Sequence, residues 1–321
     1  MKVQIPNELK SDMPQTMFGK ILAATPVVMA VVATMLAGLA SSEMTRAQYD
    51  RSLGAQQQSK AGDQWSFFQA KRMRGAFQRN TAELLQAVSE VHPLELTTFK
   101  KWAERAQPKL VAVLESRPGK DAMNFLQRGE VPFTSAAPAP DPKVKAALDG
   151  LENSKVDSEM AGLLAPIDDT ALGAAVLAAR DQSQAFDDAT KSINQAIDQM
   201  DALVTSAAAI SVGAEAAIGP SVKRDFMTAR LRYTAARYEV EARLNQAIAN
   251  LYELQVRRSN LSAERHHARS QKFFFGMLGA QFGVIVSTFA MAARNRNLLW
   301  SLAAAAGLLA IAFAIYVYMY V

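Results

Sequence analysis

The chain has 321 residues, a net charge of +5 at pH 7 and no cysteine, which excludes disulfides, thiolate nucleophiles and thiolate metal sites. Three Lys, two Arg, Glu8 and Asp12 lie outside residues 41–272. Residues 41–272 therefore carry 30 basic and 28 acidic groups. Such a nearly neutral segment has no electrostatic field that would favour nucleic acid as a partner.

Three stretches contain no charged side chain: residues 21–40, 273–293 and 298–321. Each is long enough, as a helix, to cross a hydrocarbon core of about 30 Å. They predict an all-α integral membrane protein with three transmembrane helices. Residues 1–20 form a polar N-terminal segment. We interpret residues 21–40 as a retained anchor, because the apolar run is longer than the core of a usual signal peptide.

Residues 41–272 are predicted to form an extramembrane helical and coiled-coil domain between the first two spans. Its first helix covers residues 41–91 and ends at His92-Pro93, because the residue before proline is pushed out of the α region. The apolar face of this helix comprises Phe67, Ala70, Met73, Phe77, Leu84 and Val88.

A shorter helix is predicted over residues 94–116, kinked at Pro108 and stopped by Pro118-Gly119. Residues 130–143 follow and contain four prolines, so we expect an extended linker there.

The second long helix has the most regular pattern in the chain: positions at alternating intervals of three and four, all of them apolar or small except Gln182. The positions are Leu172, Ala175, Ala179, Gln182, Phe186, Ala189, Ile193, Ala196, Met200, Leu203, Ala207 and Ile210. This spacing predicts a coiled-coil seam against a closely packed partner helix. Residues 213–220 supply a turn, and a helix from Ser221 folds back antiparallel and continues into the second span. Residues 41–91 could lie beside this hairpin as a third helix.

A dense mixture of aromatic, amide and charged side chains follows the first span. Its members are Asp63, Gln64, Trp65, Phe67, Phe68, Gln69 and Lys71. We expect a packing and hydrogen-bonding node there, with a ligand site as the alternative. Nothing in the sequence has the spacing of a nucleophile and its base, or of a phosphate loop. We therefore predict no catalytic residue, no cofactor and no metal site.

The basic run around His266-His267 lies just before the second span. Adjacent helical residues point about 100° apart, so the two His rings cannot bind one metal ion without distortion. We expect this run, from Arg257 to Lys272, to meet phospholipid headgroups.

The spans carry two further groups of residues. Gly279 and Gly283 form a small-residue face for helix packing, and Gln281 is expected to hydrogen-bond a neighbouring helix. The predicted membrane-interface residues are Arg294, Arg296, Trp300, Tyr316, Tyr318 and Tyr320. We expect the three tyrosines to anchor the depth of the third span. Alternatively, they face inward and bind a lipid or pigment between subunits.

These motifs resemble a bacterial family of unknown function. The resemblance rests on the Asp63–Lys71 motif and on Arg294-Asn295-Arg296-Asn297-Leu298-Leu299-Trp300, and it covers residues 20–90 and 240–321. The chain differs in having Phe67 and Phe68 where the family usually has Tyr. We interpret residues 100–220 as an insertion relative to that family. The resemblance implies a three-span topology and carries over no catalytic residue.

We therefore expect a non-enzymatic scaffold or accessory subunit, associated with membrane lipid, that forms a homo-oligomer or joins other membrane subunits. The alternative is a transporter or channel component, or a lipid-binding membrane protein. The expected location is a bacterial inner membrane. Lysines of residues 1–20 and the arginines of the turn between spans two and three predict a periplasmic position for residues 41–272. The basic run Arg257–Lys272 favours the opposite, cytoplasmic placement.

Overall fold

The computed structural model describes residues 17–132, 138–210, 214–293 and 296–320. Within these ranges every regular element is an α-helix, as predicted. The helices are α1 (Met17–Val88), α2 (Leu96–Ala106), α3 (Pro108–Glu115), α4 (Arg117–Arg128), α5 (Pro142–Glu152), α6 (Asp157–Leu164), α7 (Asp169–Ile210), α8 (Ala214–Ala292) and α9 (Arg296–Tyr320).

Among the described residues, three helices are long and apolar enough to cross a membrane, namely α1, α8 and α9. The pair α6 and α7 passes the same test only when taken together, and the chain bends by 97° between them. The three apolar stretches found in the sequence therefore fall in helices of sufficient length, apart from Ala293, which follows the end of α8, and Val321, which lies outside the described residues.

The chain divides into two compact units. The first comprises Met1–Ala55 and Arg257–Val321, and the second comprises Gln56–Val256. The long helices α1 and α8 contribute residues to both units.

The first unit packs the apolar parts of α1, α8 and α9 around small side chains. Its core contains Leu36 of α1, Phe273 and Ala280 of α8, and Ala310 and Val317 of α9. Glycines permit the close approach of these helices: a Cβ at Gly283 would collide with the side chain of Met29, and so would one at Gly307. A Cβ at Gly279 would meet that of Ala310 at 4.0 Å.

The second unit has the larger hydrophobic core, built where the short helices α2, α3 and α4 meet α7 and α8. Phe99 of α2 stacks on Phe226 of α8, with ring centroids 5.5 Å apart and ring planes inclined by 9°. Leu110, Met123 and Met200 are fully buried beside this aromatic pair. The apolar cluster thereby joins five helices.

The apolar face of the first long helix does not form part of the core. Large residues of that face are exposed: Phe67, Met73, Phe77, Leu84 and Val88. The helix contacts α8 through small residues instead, since a Cβ at Gly75 would lie 3.3 Å from that of Tyr238, and Ala61 and Ala82 are buried. Small side chains let the two backbones approach, which leaves the large ones outside.

The helical stretch predicted over residues 94–116 does end there, since α3 ends at Glu115, but the role expected of Pro118 and the start of α8 differ from the prediction. Pro118 occupies the first turn of α4 and does not stop a helix, because the first turn has no intrahelical partner for the N–H that proline lacks. Pro220 lies inside α8, which already begins at Ala214, so residues 214–220 are helical and not part of a turn. Of the expected linker, residues 133–137 lie outside the described residues, and Pro142 begins α5.

The predicted seam of α7 is buried at eight of its positions: Leu172, Ala175, Ala179, Phe186, Ile193, Ala196, Met200 and Ala207. The exception is Ala189, which is exposed while the neighbouring Thr190 is buried. Gln182 and Leu203 are half-buried, and the side chain of Ile210 lies outside the described residues.

Candidate functional site

The motif between Asp63 and Lys71 divides between two sides of α1. Four of its residues are partly buried: Gln64, Trp65, Phe68 and Lys71. The rings of Trp65 and Phe68 meet edge to face, with their centroids 5.5 Å apart. Asp63, Phe67 and Gln69 are exposed. The structure therefore brings four of the seven motif residues together and leaves the other three on the outside of the helix.

Lys71 connects the motif to α8 through an ion pair. Its Nζ lies 2.8 Å from Oε2 of Glu241, and Nε of Arg237 lies 3.3 Å from the other oxygen of the same carboxylate. Burial raises the pKa of nearby Asp187 on α7, while the positive charge of Lys71 acts in the opposite direction. The Lys71–Glu241 pair therefore joins α1 to α8, with Asp187 of α7 near enough to be affected by the charge of Lys71.

A buried phenol lies near this ionic group. The hydroxyl of Tyr233 donates to Oδ1 of Asn194 at 3.0 Å, and burial raises the pKa of Tyr233 to about 12. A buried hydroxyl needs such a partner, because leaving it unpaired would cost the desolvation energy of the group.

A groove of about 540 Å³ begins at Phe68 and continues between α1 and α8. The guanidinium carbon of Arg72 lies 5.8 Å from the centroid of the Phe68 ring. Both Arg79 and Arg243 bind the carboxylate of Glu239: Nη2 of Arg79 is 2.8 Å from Oε2, and Nη2 of Arg243 is 2.5 Å from Oε1. The hydrogen bond from Arg243 is the main cause that lowers the pKa of Glu239. The groove thus has two guanidinium groups on one carboxylate and a third, that of Arg72, over the Phe68 ring.

In the first unit, His266 lies between two carboxylates of α1. Its Nδ1 is 2.5 Å from Oε2 of Glu43, and its Nε2 is 4.0 Å from Oδ2 of Asp50. One turn further along, the hydroxyl of Ser270 donates to the carbonyl of Ala40 at 2.7 Å. The sequence predicts that His266 meets lipid headgroups, whereas in the structure its ring lies against Glu43 and Asp50. Their spacing of seven residues, which places both on one helical face, was the available signal.

A cavity of about 550 Å³ lies beside this polar cluster in the first unit. Its apolar walls include Ala37, Phe274 and Met277, and its polar lining includes His267 and Gln271. The amide of Gln271 and the His267 ring are in contact, with Nε2 atoms 3.0 Å apart. The cavity therefore combines an apolar wall with a polar end.

The remaining predicted residues lie in α8 and α9. Gln281 is exposed, and so are Tyr316, Tyr318 and Tyr320, whereas the indole of Trp300 donates to Oγ1 of Thr25 at 2.9 Å. Arg294 and the side chain of Arg296 lie outside the described residues. The tyrosines therefore point away from the other helices of the first unit.

In the described part of the chain, no three His, Asp or Glu side chains are placed to hold one metal ion. No curated protein and no solved structure is significantly similar to the chain. The range that matches a known family covers positions 63–71 and does not reach the C-terminal segment 240–321. Residues 18–112 are similar to the family described as a domain of unknown function, DUF4337.

Proposed function

We propose that the chain is an integral membrane protein whose helices α1, α8 and α9 cross the bilayer. The observation that carries this proposal is the position of the apolar side chains in the first unit. Only 22%, 39% and 17% of the most apolar windows of α1, α8 and α9 are buried inside the chain. A water-soluble protein would cover such surfaces, whereas hydrocarbon solvates them without cost.

Within that membrane, the chain acts as a scaffold or accessory subunit that binds another protein. The large apolar side chains on the outer face of α1 in the second unit support this role. Met73, Phe77, Leu84 and Val88 follow one another at intervals of four and seven residues, which places them on one face of the helix, and they are uncovered. An apolar stripe of this kind marks a surface for protein association.

The membrane is a bacterial inner membrane, with the helical domain on the periplasmic side. Support comes from Lys2, Lys10, Lys20, Arg294 and Arg296, which the three-span topology would place on one side. Short basic segments are retained in the cytoplasm.

A second candidate is a lipid-binding role, favoured by the cavity beside His267 and Gln271. An acyl chain would lie along Ala37, Phe274 and Met277, and the polar end of the cavity would meet the headgroup. This arrangement matches the amphipathic shape of a phospholipid.

Mass spectrometry of the chain extracted in mild detergent tests these roles together. We expect an assembly of several chains, either of one kind or with other membrane proteins. Retained phospholipid in a fixed ratio to protein would favour the second candidate. Extraction of membranes with alkaline carbonate is a separate test of the membrane proposal. Release of the chain by this treatment would contradict that proposal.

A further inference from the structure

Gln281 lies near the centre of the second proposed span, and this inference rests on the membrane insertion proposed above. It is the ninth of the 21 uncharged residues 273–293. At about 1.5 Å per residue, its Cα is ~3 Å from the midpoint of that stretch. More than ~10 Å of hydrocarbon then separates its amide from either interface, which is too far for a Gln side chain to reach.

The described part of the chain does not supply a partner for this amide. The side chain of Gln281 is exposed, and no hydrogen bond to it occurs among the described residues. The glycine face of the same helix, with Gly279 and Gly283, faces α9 and so is already occupied. An amide left against lipid would lose its hydrogen bonds to water without replacement.

Apolar side chains surround Gln281 on the same side of α8. Phe274, Leu278 and Ile285 are exposed, and at 100° per residue each lies within about 60° of Gln281 around the helix. The surface therefore has one polar group within a wide apolar face. That is the composition of a helix–helix contact in a membrane, where apolar packing surrounds an interhelical hydrogen bond.

We infer that this face binds a second copy of the chain and that the two Gln281 amides pair with each other. Copies inserted in the same orientation place Gln281 at the same depth, so a two-fold axis along the membrane normal brings the two amides together. Each amide has donors and an acceptor, which makes the pair self-complementary. A different partner would need its own polar group at the matching depth.

Oxidative cross-linking of single-cysteine variants in native membranes tests the pairing, because the chain has no other cysteine. Gln281→Cys should give a species of twice the chain's mass. The matched control is Phe282→Cys, which is exposed at the same depth but points about 100° away. Equal yields from the two variants, or a Gln281→Cys product with a chain of different mass, would overturn the inference.

Association measured by energy transfer between labelled copies in bilayers tests the hydrogen bond. Gln281→Leu should weaken association roughly tenfold, whereas Gln281→Asn should retain most of it. Unchanged association of Gln281→Leu overturns the amide pairing. The membrane proposal is judged separately, since a carbonate-resistant chain that fails to cross-link at Gln281 contradicts only the inference.

Discussion

Replacing Phe226 by Ala is expected to lower the free energy of unfolding of the second unit by about 3–5 kcal/mol. The Phe226 side chain is fully buried and stacks on Phe99, in the cluster where α2, α3 and α4 meet α7 and α8. Its removal would forfeit the transfer free energy of a benzyl group and leave a cavity among five helices. The midpoint of urea unfolding, followed by circular dichroism, measures the loss.

The matched control is Phe77→Ala, which removes the same benzyl group from an exposed position. Phe77 is 68% exposed, so its replacement should change the free energy of unfolding by no more than about 0.5 kcal/mol in the chain purified without other proteins. If Phe77→Ala lowers the free energy of unfolding as much as Phe226→Ala does, Phe77 is packed against other residues, and the face of α1 described as exposed is in fact buried.

The second large effect is expected from Ala196→Leu, which should destabilise the chain by about 1–3 kcal/mol. Ala196 is 5% exposed on the buried side of α7, in the same cluster as Met200 and Phe226. The larger side chain would need space that the packed helices do not provide. The same urea titration measures the shift.

Asp198→Leu is the control for Ala196→Leu, two residues along the same helix. The Asp198 side chain is 73% exposed, and its contact with Arg230 is long, at 3.8 Å. Loss of such a surface ion pair costs less than about 1 kcal/mol. If the two leucine variants unfold at the same urea concentration, Ala196 does not face a packed helix.

Much of the fold was predictable because its main signals are local. The three apolar stretches and the spacing of three and four along α7 each depend on side chains within one helix. The burial of Leu172, Phe186, Ile193 and Met200 follows that spacing directly. Ala189 departs from this pattern, because it is exposed while the neighbouring Thr190 is buried.

The outward face of α1 was not predictable from periodicity. Spacing identifies which residues share a face, but it does not say whether the same chain covers that face. The chain does not cover Phe67, Phe77 and Leu84, because the contact between α1 and α8 is made by Gly75 and small neighbours. Close backbone approach through small residues competed with burial of large ones and determined which face packs.

The polar contacts of the candidate site are non-local, which limited what the sequence could indicate. The motif residue Lys71 was identified, but its partner Glu241 lies 170 positions later. The pairing of His266 with Glu43 similarly joins helices from opposite ends of the chain. A pattern within one helix names such residues without naming their partners.

The central claim, that the second apolar stretch crosses a membrane, is tested most directly by thiol labelling at Ser154→Cys and Asn295→Cys. With no native cysteine, each variant has a single reactive site. In intact spheroplasts, an impermeant maleimide should label Ser154→Cys and should label Asn295→Cys only after lysis. Labelling of Asn295→Cys alone would reverse the orientation, and equal labelling of both before lysis would contradict the membrane-spanning account.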